Sequence, residues 1–173
     1  MNGQYPLEQL ILVRKNQFDQ AVKTLEEKKA LLAKATQKLN ELIKERDVVL
    51  QQKREKLTQL RATMDAGSEG TSTGKIQQMK VFLKIVDEKL LEKEKKVKEQ
   101  QKQVELAQKQ VDIATQAMYQ AQKDLEKIEI GKVEWEKENQ YLIRQKEAIE
   151  QDEQGSTTHT TRKREEKRRN PEE

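Results

Sequence analysis

Apolar residues recur every seven positions along most of this chain, and polar residues fill the rest. From Ile76, steps of seven meet Leu83, Leu90, Val97, Val104, Val111, Met118 and Leu125, and all eight positions are apolar. A second series runs from Met79 through Val86, Lys93, Gln100, Ala107, Ala114, Ala121, Ile128, Trp135, Leu142 and Ile149. Only Lys93 and Gln100 break it. The two series lie three and four residues apart, which is the a/d pattern of a coiled coil. The N-terminal half repeats the pattern less cleanly. Ile11, Phe18, Leu25, Leu32 and Leu39 form one series, interrupted at Arg46 and Lys53 and resumed at Leu60. Val22, Ile43, Leu50, Leu57 and Met64 form the other, with Lys29 and Thr36 between, while Ala21, Ala35, Leu42 and Val49 widen the stripe.

Glycine and proline divide the chain into the same two parts. Neither occurs between Leu7 and Met64, and only Gly131 falls between Lys75 and Gln154. Gly67, Gly70 and Gly74 cluster in the middle, as a turn requires. The pattern predicts an all-α fold, a long antiparallel two-helix coiled-coil hairpin with a disordered basic C-terminal tail. The expected segments are an extension over 1–6, helix 7–64, tip loop 65–75, helix 76–153 and disordered tail 154–173. Each helix buries the other's stripe. Pairing an a with a d position across such a loop predicts partner numbers that add up to about 143. Leu60 then faces Leu83, Leu32 faces Val111 and Leu25 faces Met118. Layers containing Arg46, Lys53 and Lys93 are mixed and predict a weak, bendable zone. Trp135 is expected near Tyr5, Leu7 and Glu8, closing the open end, with the rest of the second helix overhanging it.

Composition supports this picture and excludes others. Of 173 residues, 38% are charged, 33% apolar and 3% aromatic. An ordinary globular domain carries about 45–50% apolar and 25% charged residues. The absence of cysteine removes a disulfide framework, a thiolate metal site and a cysteine nucleophile. The longest apolar run, Leu10–Val13, is far too short to span a bilayer. The N-terminus lacks the basic-then-apolar order of a secretory signal, so a cytosolic protein is expected. Residues 1–64 carry 13 basic and 8 acidic side chains, and residues 65–153 carry 16 and 19. These opposite signs favour pairing of the two helices.

Candidate chemistry is sparse. Gly70–Lys75 resembles a phosphate loop but has three residues between its glycines, not four, and Ile76 where the motif needs Ser or Thr. It reads as turn glycine. The single histidine, His159, lies in the predicted tail, where nothing positions it for acid–base work. A two-helix rod gathers no catalytic cleft, so no enzyme activity, catalytic residue, cofactor or metal is expected. The tail holds six Lys or Arg between Arg162 and Arg169, but Glu165, Glu166, Glu172 and Glu173 cut its net charge to +2. With no aromatic residue among them for base stacking, nucleic acid is not an expected partner. Apolar residues off the seam are the better candidates. Val81, Phe82, Ile85 and Leu91, with Val48 and Val49 opposite, form one group near the tip. Leu12, Val13, Ile130, Val133, Tyr141 and Ile143 form another toward the open end. Exposed apolar groups of this kind mark partner surfaces.

Several stretches together resemble the YscO family of type III secretion systems, especially its chlamydial members. They are Tyr5-Pro6-Leu7-Glu8, Arg14-Lys15, Leu25-Glu26-Glu27-Lys28-Lys29, Met79 to Val86 and Glu134-Trp135-Glu136-Lys137-Glu138. The family is similar in fold to the flagellar protein FliJ and to the stalk of the rotary ATP synthase gamma subunit. The resemblance implies a monomeric central stalk at the cytoplasmic base of a bacterial secretion apparatus, without membrane insertion. Its implied partners are the hexameric secretion ATPase, the export gate protein and export chaperones. The resemblance further implies that the end bearing the termini faces the ATPase ring and the tip half the export gate, so Leu12, Val13, Ile130, Val133 and Trp135 face the ring. Val48, Val81, Phe82 and Ile85 face the gate or a chaperone. A generic coiled-coil spacer or homodimer without an ATPase partner is the alternative.

Overall fold

The structure, a computed structural model, describes residues 4–66 and 73–170. Two helices account for nearly all of them, α1 (Glu8–Asp65) and α2 (Thr73–Arg169). They form the antiparallel helical hairpin that the heptads predict. Helix α1 starts just after Pro6, where the Glu8 amide donates to the Tyr5 carbonyl at 3.1 Å. Glu8 also places a carboxylate in the first turn, which suits the helix dipole. Of the expected tip loop 65–75, Asp65 closes α1 and residues 73–75, with Gly74, open α2, while Gly67 and Gly70 lie outside the described residues.

By packing, the chain divides into two units. One comprises Gln20–Tyr119. Its seam centres on Leu25, Val111 and Ala114, with Leu32 and Met118 packed against them. Val86 and Val97 are only 3% exposed, and Leu60 and Leu90 are also buried. Burying a Leu or Val side chain contributes roughly 1.5–3 kcal/mol, so this stripe dominates the unit's stability. The other unit comprises Met1–Asp19 and Gln120–Glu173. Here Ile11, Phe18, Leu125, Ile128 and Trp135 are half-buried.

The seam of α1 differs from the expected one. Residues 14, 21, 28, 35, 42, 49, 56 and 63 are all half-buried, whereas Lys29, Thr36 and Met64 are exposed. Thus the a/d partner of the Ile11–Leu60 series is Arg14, Ala21, Lys28, Ala35, Leu42, Val49, Lys56 and Thr63. Four of these are polar, which hides the series from a count of apolar residues. Long cations occupy such positions by laying their methylene stems on the seam and keeping the charge in water.

This reassignment also shifts the register. Lys53 pairs with Asp87, Glu45 with Lys93 and the Ala35 carbonyl with Gln100, while Lys56 lies over Phe82. In the other unit Tyr5 meets Trp135, Glu8 meets Lys132 and Arg14 meets Asp124. The partner numbers add up to 135–140 in every case, about one helical turn from the expected 143. Pairing a with d across the corrected seam requires 139. The helix ends flanking the turn, Asp65 and Thr73, fit the same register.

The C-terminal expectation is also corrected. Disorder from residue 154 is not confirmed, because α2 continues to Arg169. Thr157, Thr158, Thr160 and Thr161 each donate a hydroxyl hydrogen to the carbonyl four residues back at 2.7–2.8 Å. Their polar groups are therefore satisfied within the helix. Lys167, Arg168 and Arg169 in the last turn complement the dipole, and Pro171 follows. Polarity alone signals exposure, and exposed residues with no internal proline still propagate a helix already begun.

Candidate functional site

Near the turn, Val81, Phe82 and Ile85 stand exposed on α2 at 59%, 40% and 46%. Spacings of one, three and four residues put them on one side of the helix. The Lys56 ammonium sits 5.2 Å from the Phe82 ring centroid, a cation–π contact that holds the ring at the edge of the helix pair. A shallow groove beside it is lined by Lys56, Thr63, Lys75, Gln78, Met79 and Phe82. Val48 is exposed on α1. In the observed register it is level with Leu91, so roughly 9 Å separates it along the axis from Ile85, at 1.5 Å per residue. The expected group therefore resolves into a compact patch at 81, 82 and 85, with Val48 apart from it.

Behind this patch the seam is charged. Lys93 Nζ donates to Glu45 Oε2 at 2.7 Å, and Lys53 pairs with Asp87 at 2.6 Å. Arg46 turns to its neighbour Asp47 at 2.9 Å. The hydrogen bond from Lys93, and then its charge, hold the Glu45 carboxyl below its ordinary pKa. Arg46 and Lys93 share a layer in the observed register, so each needs its own acid. This is the mixed zone, more finely placed than the periodicity allowed.

In the unit of Met1–Asp19 and Gln120–Glu173, the Tyr5 and Trp135 rings meet edge to face, with centroids 5.7 Å apart. Gly131 makes room for this contact, since a Cβ there would stand 3.3 Å from the Tyr5 hydroxyl. Lys132 pairs with Glu8 at 2.9 Å, and that hydrogen bond is the main cause of the raised Lys132 pKa. Arg14 reaches Asp124 at 3.8 Å. Trp135 is thus half-buried as the closure of the seam, as its position predicts.

Leu12, Val13, Ile130 and Val133 are exposed, at 49–61%. Leu12 and Val13 lie on α1. Ile130 and Val133 line an apolar dip on α2 rimmed by Glu126, Glu129, Glu134 and Lys137. Other exposed apolar residues were not singled out by the heptads. Leu31, Leu106, Ile113 and Tyr119 all exceed half exposure, as do Leu142 and Ile149. The last two were legible as seam residues, but nothing in the periodicity says that a seam residue lacks a partner. Among the described residues, no cluster of His, Asp or Glu could hold a metal ion, and no helix is long and apolar enough to cross a membrane.

Comparison with known proteins gives this geometry a context. The model of a family described as YscO-like protein matches residues 2–165. The chain belongs to the YscO-like family. Its structure is similar to the solved structure of CT670 from Chlamydia trachomatis, a proposed YscO homologue, with a TM-score of 0.86 and 35% sequence identity. The match covers 93% of this chain and 98% of CT670. No curated protein matches the chain. The YscO-like match includes Tyr5, Phe82 and Trp135.

Proposed function

We propose that this YscO-like protein is the central coupling stalk of a type III secretion system. It binds the hexameric secretion ATPase at the cytoplasmic base of the apparatus and links that ring to the export gate and export chaperones. The observation that carries this reading is the YscO-like match over residues 2–165. The 35% identity to a YscO-related structure over 93% of the chain supports it.

The physical logic is that of an asymmetric shaft in a near-symmetric ring. A helical hairpin touches only some of six subunits at a time. Those contacts favour one conformation of the touched subunits and so bias which of them binds or hydrolyses ATP. The ATP chemistry belongs to the ring.

Leu12, Val13, Ile130 and Val133 are the proposed ring contacts, with Trp135 and Tyr5 keeping their helices together. Val81, Phe82 and Ile85 are the proposed gate or chaperone contacts, and Val48 adds a separate point on α1. Co-purification tests both assignments. Phe82→Ala with Ile85→Ala is expected to lose the gate protein and keep the ATPase. Leu12→Ser with Ile130→Ser is expected to do the reverse. Retention of both partners by both variants would overturn the end assignment.

A further inference from the structure

Beyond Trp135 the seam of α2 continues without a helix opposite it among the described residues. Leu142 and Ile149 follow Trp135 at steps of seven and are 53% and 58% exposed. They are in phase with an interface that already exists, the one Trp135 closes with Tyr5. The positions flanking this seam, which set partner choice in coiled coils, are Glu136, Glu138, Ile143, Gln145, Glu150 and Asp152. Four are acidic and none is basic. The cations Lys137 and Arg144 occupy the position farthest from the seam, and Lys146 lies in the seam between Leu142 and Ile149, so residues 136–153 keep an excess of acids. Earlier in α2, where α1 does accompany it, the flanking Asp124 meets a cation, Arg14, at 3.8 Å.

We propose that residues 136–153 of α2 form a docking strip for a basic amphipathic helix of a partner protein. That helix seats apolar residues at heptad spacing on Leu142 and Ile149. Its flanking Lys and Arg meet Glu136, Glu138, Glu150 and Asp152. A second copy of the same strip is a poor occupant, because acidic flanks would face acidic flanks. An anionic membrane surface is disfavoured for the same reason.

The test uses the full chain and two synthetic helical peptides with identical apolar heptads, one carrying Lys at the flanking positions and the other Glu. The Lys peptide is expected to bind at least tenfold more tightly than the Glu peptide, with affinity falling as salt rises. Leu142→Ser with Ile149→Ser is expected to abolish binding while helix content by circular dichroism is kept, since both side chains are exposed. Reversing Glu136, Glu138, Glu150 and Asp152 to Lys is expected to invert the preference. Equal binding of both peptides, or binding that survives the Leu142 and Ile149 changes, would overturn the proposal. So would a dimeric mass of the free chain that the same two changes reduce to monomer.

Discussion

Gln100 Nε2 donates a 3.0 Å hydrogen bond to the main-chain carbonyl of Ala35 across the helix pair. Gln100 is only 8% exposed and sits in a seam series that is apolar except at Gln100 and Lys93. The small side chain of Ala35 lets the amide reach the backbone. One such polar contact costs stability but penalises any other register, in which the amide would be buried without a partner. Gln100→Leu is expected to leave stability unchanged or raise it by about 1 kcal/mol, whereas Gln100→Ala lowers it by about 1–2 kcal/mol. Thermal unfolding of both variants checks this. A large loss in the Leu variant would contradict it.

The apolar seam separates sharply into covered and uncovered residues. Leu25 is 7% exposed and packs with Val111 and Ala114. Leu25→Ala is expected to cost about 2–4 kcal/mol, while Leu142→Ala stays within about 0.5 kcal/mol. Urea unfolding of the two variants measures the difference. Equal losses would mean that Leu142 is covered in the isolated protein.

Gly131 and Gly155, both inside α2, make a controlled pair. Nothing lies within 4 Å of a Cβ placed at Gly155. Gly155→Ala is expected to increase helicity, because alanine is favoured over glycine by about 1 kcal/mol in a helix interior. At Gly131 the same change meets the Tyr5 hydroxyl at 3.3 Å. Gly131→Ala is therefore expected to gain less and to alter the Trp135 fluorescence. Combining it with Tyr5→Phe, which removes that oxygen, is expected to restore the full gain.

The charged layer predicts a pH and salt signature. Because Lys93 lowers the Glu45 pKa, this pair's stabilisation is complete above the ordinary glutamate pKa and is lost as pH falls through the lowered one. Carboxyl titration by NMR is expected to show a depressed Glu45 that Lys93→Met returns to the usual range. Amide exchange is expected to be faster around Arg46 and Lys93 than around Leu25 and Val111, and to accelerate with salt. Exchange that is uniform along the seam would contradict a weak zone here.

Much of this organisation is legible in the chain itself. The Ile76 and Met79 series predict the α2 seam position by position, and every member through Trp135 is buried or half-buried. The α1 seam was harder to see, because Arg14, Lys28, Lys56 and Thr63 occupy it and an apolar count prefers the neighbouring series. That one displacement carried the register with it. The helix past Gln154 was missed because low apolar content marks loss of burial, not loss of helix. The exposed Leu31, Leu106, Ile113 and Tyr119 carry no heptad signal, whereas Val48, Val81, Phe82 and Ile85 could be named from the pattern. Which of them stand together depends on register, and so Val48 could not be separated from Phe82 in advance.

The proposed stalk role requires that this helical hairpin couple to a ring ATPase. The most direct measurement adds the purified protein to the secretion ATPase of its own system and records ATP turnover together with mass by light scattering. A monomeric protein that raises turnover and promotes hexamers is expected, with both effects lost in Leu12→Ser with Ile130→Ser. A stable dimer that leaves turnover and ATPase mass unchanged would contradict it and favour a structural spacer.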